Sequence, residues 1–179
     1  WKSRGLGDVY KRQMIKMEEA ANSGKPFFLA VGYTKPHLPF VAPKKYWDLY
    51  DRNNISIHPE QDRDSSIPPI AFHNNHELVN SYSDIPINGN ITIDKQKELI
   101  HGYKACVSYV DAQVGKLLSK LNELGLSDNT IIVLWGDHGW HLGDHGLWIK
   151  HTNFEQAVSS PMIISVSYTH LRAHETSRY

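Results

Sequence analysis

Residues 94–135 read DKQKELIHGYKACVSYVDAQVGKLLSKLNELGLSDNTIIVLW, and this stretch decides the fold class. Apolar or aromatic side chains fall at Leu99, Tyr103, Cys106, Val110, Val114, Leu117, Leu121 and Leu124, three or four residues apart throughout. That spacing gathers one apolar stripe, so it predicts an amphipathic helix over 94–124 with one face on a core. Gly125 stands where such a helix stops, and Ser127-Asp128-Asn129 supplies a turn. Thr130 to Trp135 is then a β-branched run broken at Gly136, which predicts a buried strand.

Two further apolar runs flank this pair. Pro26-Phe27-Phe28-Leu29-Ala30-Val31-Gly32-Tyr33, bounded by turn residues, predicts a second buried strand, and Pro161-Met162-Ile163-Ile164 reads as a further strand. Strand, helix, strand in this order predicts an α/β fold with a mainly parallel central sheet flanked by helices, incomplete within this chain. Residues 14–22 predict a short helix closed by Asn22-Ser23-Gly24. Residues 34–94 are loop-rich, yet Trp47, Tyr50, Ile55, Ile57, Phe72 and Tyr82 anchor them, which predicts a binding or lid region. Residues 1–13 and 166–179 resemble translated adapter sequence and are set apart from the fold, leaving 14–165 as the C-terminal part of a catalytic domain.

Composition narrows the function classes. Hydrophobic residues make up 40% of the 179 and charged residues 21%, which allows a packed core and argues against wholesale disorder. Lys plus Arg and Asp plus Glu both number 19, so nothing attracts nucleic acid or an anionic membrane in general. No apolar run is long enough for a membrane-spanning helix. Cys106 is the only cysteine, which excludes an internal disulfide. Its place in the helical stripe makes it a small buried hydrophobe.

In open α/β sheets ligands sit beyond the carboxyl ends of the strands. One strand runs out into Thr34-Lys35-Pro36-His37, the other into Gly136-Asp137-His138-Gly139-Trp140-His141 and on to Lys150. If the two strands are neighbours, His37, Asp137 and His138 converge on one crevice. Gly-Asp-His-Gly occurs twice, at 136–139 and 143–146. Only the first copy directly follows a strand, where rigid backbone can hold Asp137 as a hard oxygen ligand and His138 as a second ligand or an anion donor. The second copy, with Asp144 and His145, reads as a cap and a surface turn. Two residues do not complete a metal shell, so other ligands must come from elsewhere. Lys150 and His37 suit a bound anion, although a lysine in this position is also compatible with plain solvation.

Taken together, Phe27 to Tyr33 with Lys35-Pro36-His37 and Pro39-Phe40, the helix Ala105 to Gly115, and Asp137-His138-Gly139-Trp140-His141-Leu142-Gly143 with Lys150 resemble the sulfatase family of the alkaline phosphatase superfamily. They are most similar to its iduronate-2-sulfatase-like members. Three motifs in order over about residues 25–164 are far more specific than one. The resemblance implies a large α/β domain, a calcium ion, and a formylglycine nucleophile made from a cysteine. It implies Asp137 and His138 as metal ligands and Lys150 as the sulfate-binding lysine. His37 is implied as a histidine on the sulfate or the leaving group, His141 as a further substrate-side histidine, and Asp111 as structural. Cys106 lacks the Cys-X-Pro/Ala-X-Arg context of the modified cysteine, so the resemblance implies a nucleophile upstream of residue 14 and no turnover by this piece alone. In the implied reaction the hydrated aldehyde attacks sulfur while cation and lysine neutralise the sulfate oxygens. A histidine then protonates the departing alkoxide. A sulfated small molecule or saccharide is the implied substrate, and an extracellular, periplasmic or lysosomal-type location the implied destination. Two other classes fit the same residues: a metal-dependent phosphatase, phosphodiesterase or phosphonate hydrolase of the superfamily, and a non-catalytic sugar-binding or structural relic.

Overall fold

A computed structural model describes residues 6–87 and 90–166, with side chains from residue 12 onward. The helices are α1 (Leu6–Asn22), α2 (Lys44–Trp47), α3 (His76–Ser81), α4 (Ile93–Glu123) and α5 (Glu155–Val158). The strands are β1 (Ile132–Trp135) and β2 (Met162–Ser165), and single 3₁₀ turns include Asp144–Gly146. The segment set apart at 166–179 lies outside the described residues beyond Val166, as do residues 1–5 of the leading one. Helix α1 extends the expected 14–22 helix upstream to Leu6, across the boundary drawn at residue 13.

The chain forms two compact units. One comprises the segment ending at Tyr33, Ala112–Leu134, and the segment from Met162. Met17 of α1 and Leu117 and Leu121 of α4 make its buried core, with Leu29, Val31, Tyr33 and Ile132 packed on them. The expected strand over 26–33 takes no regular element and joins no ladder among the described residues. Leu29, Val31 and Tyr33 are half-buried, while Phe28 between the turn and this stripe is 93% exposed. An apolar run reports burial tendency, whereas a strand exists through backbone bonds to a neighbour, which the run itself does not name. The other two strands occur as expected and pair as a two-stranded sheet. For β1 the expected burial is corrected: Val133, Leu134 and Trp135 remain exposed, as do Met162, Ile163 and Ile164 of β2.

Helix α4 starts and stops within one residue of the spacing's limits. Gly125 adopts φ +67°, its N–H donates to the Asn122 carbonyl at 2.9 Å, and the Leu126 N–H reaches back to Leu121 at 3.1 Å. This pair of bonds satisfies the last helical carbonyls, and only glycine takes that left-handed conformation without steric cost.

The second unit comprises Thr34–Asp111 and Trp135–Pro161. Its core brings Leu38 and Phe40 of the first loop to Leu78 of α3, Leu99 of α4, and Trp148 and Ile149. The loop-rich region is therefore packed around its apolar anchors. Cys106 lies fully buried here, and burial pushes its thiol up to about 11, which suits an inert packing residue.

Candidate active site

Lys150 follows the buried run Leu147-Trp148-Ile149. Asn75, held at φ 51° just before α3, ties this run down. Its Oδ1 accepts the Trp148 N–H at 2.9 Å and its Nδ2 donates to the Gly146 carbonyl at 2.9 Å. Glu77, two residues further on, is thereby brought to Lys150. The Lys150 ammonium donates to Glu77 Oε2 at 2.8 Å and Oε1 at 3.1 Å. It also donates to His37 Nε2 at 3.0 Å, and it stands 5.1 Å over the Trp140 ring.

This contact sets the His37 tautomer. Nε2 accepts from an ammonium, so the ring proton sits on Nδ1, which donates to the Leu38 carbonyl at 2.9 Å. Lys35 steadies the same loop by donating to the carbonyls of His37 and Pro39, and burial lowers its pKa. Partial burial alone would raise the Glu77 carboxyl. Hydrogen bonds from Lys150 and His151 outweigh it and pull the group down to about 2.

The first Gly-Asp-His-Gly copy lies on the other side of Trp140. The His37 and Trp140 rings meet edge-on at 5.9 Å, and His138 stacks on Trp140 at 6.2 Å. His138 Nδ1 donates to the Gly139 carbonyl at 2.8 Å, leaving Nε2 with a bare lone pair 3.6 Å from Asp137 Oδ2. A histidine that spends one N–H on a carbonyl is oriented to ligate through the other nitrogen. Asp137, 88% exposed, offers its carboxylate beside it. Asp137 could give a divalent ion a hard oxygen and His138 a nitrogen, which is part of a shell only, and of the two the carboxylate alone is of the oxygen type that calcium takes.

The second copy is different. His141, expected on the substrate side, is wholly buried, its Nδ1 bound to Asp144 and its Nε2 to the Thr152 hydroxyl at 2.7 Å. Both nitrogens are engaged, so its role here is to hold the chain. Asp144, expected in a surface turn, is buried too and accepts the Leu142 N–H at 3.2 Å. An ionised carboxylate loses its hydration in such a place, and the imidazole replaces it.

The profile of the sulfatase family matches residues 7–178. The chain belongs to the sulfatase family. Human iduronate 2-sulfatase is 42% identical over 84% of this sulfatase chain, which spans 28% of that relative's length. Among solved structures, a phosphonate monoester hydrolase from Silicibacter pomeroyi superposes with TM-score 0.69 at 25% identity, over 89% of this chain and 32% of that one. An enzyme solved with its substrate D-glucosamine-2-N,6-O-disulfate gives TM-score 0.69 at 20% identity, over 89% and 42% of the two chains. The fold is thus sulfatase and alkaline phosphatase-like.

Of the sulfatase residues singled out in the sequence, the structure joins His37 to Lys150 directly and sets His138 beside them through Trp140. It removes His141 to the interior. Glu77, His151 and Trp140 had not been picked out. Nothing in the spacing of the histidines at 73, 76 and 151 points at Lys150.

Proposed function

We propose that this chain is the sulfate-binding portion of a sulfuric ester hydrolase acting on a sulfated saccharide. The observation that carries the reading is the Lys150–His37 contact, 3.0 Å long and flanked by Trp140 and the Asp137–His138 pair. The Lys150 hydrogens are shared among His37 and the two Glu77 oxygens. An arriving sulfate oxygen takes the hydrogen now given to His37, because the neutral imidazole is the weaker acceptor. His37 Nε2, released from the lysine, takes up a proton from solvent, and the resulting imidazolium donates that proton to the departing ester oxygen, while Glu77 keeps the lysine extended. Asp137 and His138 would hold a calcium-class ion in the complete sheet of the family, and such an ion neutralises charge on sulfate oxygens. The names of the sugar-directed relatives support a saccharide substrate, and an exported location is part of the same proposal. A formylglycine nucleophile belongs to the same reading, and Cys106, which is buried and lacks the Cys-X-Pro/Ala-X-Arg context, does not supply it.

The test is steady-state kinetics of the intact protein on a chromogenic aryl sulfate. Lys150→Ala lowers kcat/KM by about a hundred- to a thousand-fold, and His37→Ala by about a hundred-fold. Unchanged rates in both variants sink the proposal, as does faster hydrolysis of the matching aryl phosphonate monoester. The 179-residue chain alone shows no turnover.

A further inference from the structure

We infer that His76, Glu77 and His151 form a binding site for a borderline divalent transition metal of the zinc class, separate from the Asp137–His138 pair. Each of the three presents one ligand atom, and these atoms all lie within 4.8 Å of one another. The two imidazoles stack at 5.4 Å with planes 21° apart. His76 and His151 are exposed, which leaves an entry path and room for water in the remaining coordination position.

The local hydrogen bonds prepare these donors. His76 Nδ1 faces Asn74 Oδ1 at 3.1 Å and donates its proton there, which leaves Nε2 as the ligand nitrogen. His151 Nε2 already meets Glu77 Oε1 at 2.8 Å across a proton. Zinc bonds of about 2.0–2.1 Å in tetrahedral array place adjacent donors roughly 3.3 Å apart. Replacing that proton by the ion therefore needs Oε1 and Nε2 to separate by about half an ångström, within the reach of small side-chain rotations. The displaced proton moves to His151 Nδ1, or leaves to solvent if the ring was an imidazolium.

Lys150 is the main objection, because a cation beside a cation is unfavourable. Its shorter bond, however, is to Oε2 at 2.8 Å, while the 3.1 Å contact to Oε1 is the one given up. The carboxylate can thus serve the lysine with one oxygen and the metal with the other. Two imidazoles and one carboxylate match zinc-class ions, whereas calcium prefers an all-oxygen shell.

The experiment uses the intact protein, stripped with chelator and saturated with Ca2+, then titrated with Co2+ and followed by visible d–d absorption. The expected result is an intense tetrahedral-type band that saturates at one equivalent, resists excess Ca2+ and is displaced by Zn2+. His76→Ala and His151→Ala each weaken Co2+ binding by about tenfold or more, while Asp137→Asn leaves it intact. Circular dichroism of each variant establishes that the fold is kept. The inference is overturned by the absence of a band at one equivalent, or by a band that survives the His76→Ala/His151→Ala double substitution.

Discussion

The tetrapeptide Gly-Asp-His-Gly at 136–139 and its repeat at 143–146 share every residue and no environment. In the first, Asp137 stands in solvent and His138 keeps a lone pair free. In the second, Asp144 is buried against His141, and His145 sits at φ 51° with its ring stacked on Phe154 at 5.1 Å. The first copy leaves β1 and is pinned by the Gly139 N–H on the Ala157 carbonyl. The second closes on itself, with the Gly143 N–H on Leu147 and the Gly146 N–H on Gly143. A carboxylate in water is free to bind a ligand, and one in the interior is committed to its partner. Residue type sets what Asp and His can do; surroundings decide which of those things they do.

The sharpest way to break this contrast is Asp144→Ala. It leaves the His141 imidazole buried without its carboxylate and costs about 3–5 kcal/mol, read from the denaturant midpoint of the intact protein. An unchanged midpoint would show the buried pair to be dispensable and the two copies alike. Gly139→Ala comes next. A Cβ there falls within 3 Å of the backbone carbonyls of Gln156 and Ser159, which cannot rotate aside. Overpacking of this kind costs about 1–3 kcal/mol, and a neutral result would mean that α5 yields easily.

Acid separates the copies by their neighbours. Burial would raise the Asp144 carboxyl, but hydrogen bonding and charge from His141 hold it below its ordinary 3.8. A depressed carboxyl stabilises the fold above its unfolded value, and that contribution is lost as pH falls through the lower folded one. His73, whose ring lies 6.2 Å from His141, acts earlier. Burial first, then the charges of His141, His151 and His76, lower it from 6.5 to about 4. The neutral ring is favoured in the fold, so its stabilisation is complete above pH 6.5 and fades between there and about 4. His73→Asn should flatten that upper window in a pH series of denaturant midpoints, while Asp144→Asn alters only the lower one. The smallest expected effect is Asp137→Asn, within about 0.5 kcal/mol of wild type in the absence of metal. Its signature is instead the loss of any Ca2+-induced rise in Tm. A large destabilisation without metal would place Asp137 in the same class as Asp144.

Much of the frame was legible because it depends on neighbours in sequence. The three- and four-residue spacing of Leu99 to Leu124 located α4, and Gly125 its end, since a helix satisfies its own backbone. The runs at 130–135 and 161–164 gave strands for the same local reason, but their exposure was not readable. Burial belongs to whatever packs against a strand, and the run at 26–33 shows that an apolar stretch need not even be paired. In the site, His37, His138 and Lys150 were legible through family motifs. Glu77 was hidden, because one acidic residue on a six-residue helix carries no pattern.

The amino-acid order alone therefore determined the long helix, its glycine stop, the existence of two strands and the sulfatase character of the motifs, all of which rest on short-range spacing. The tertiary structure decided that Lys150 meets His37 across 113 residues and Glu77 across 73. It also decided that Asp137 of one Gly-Asp-His-Gly faces water while Asp144 of the other is buried. Hydrogen bonds between distant residues, and the loss of water around a charge, exist only once the intervening chain has packed.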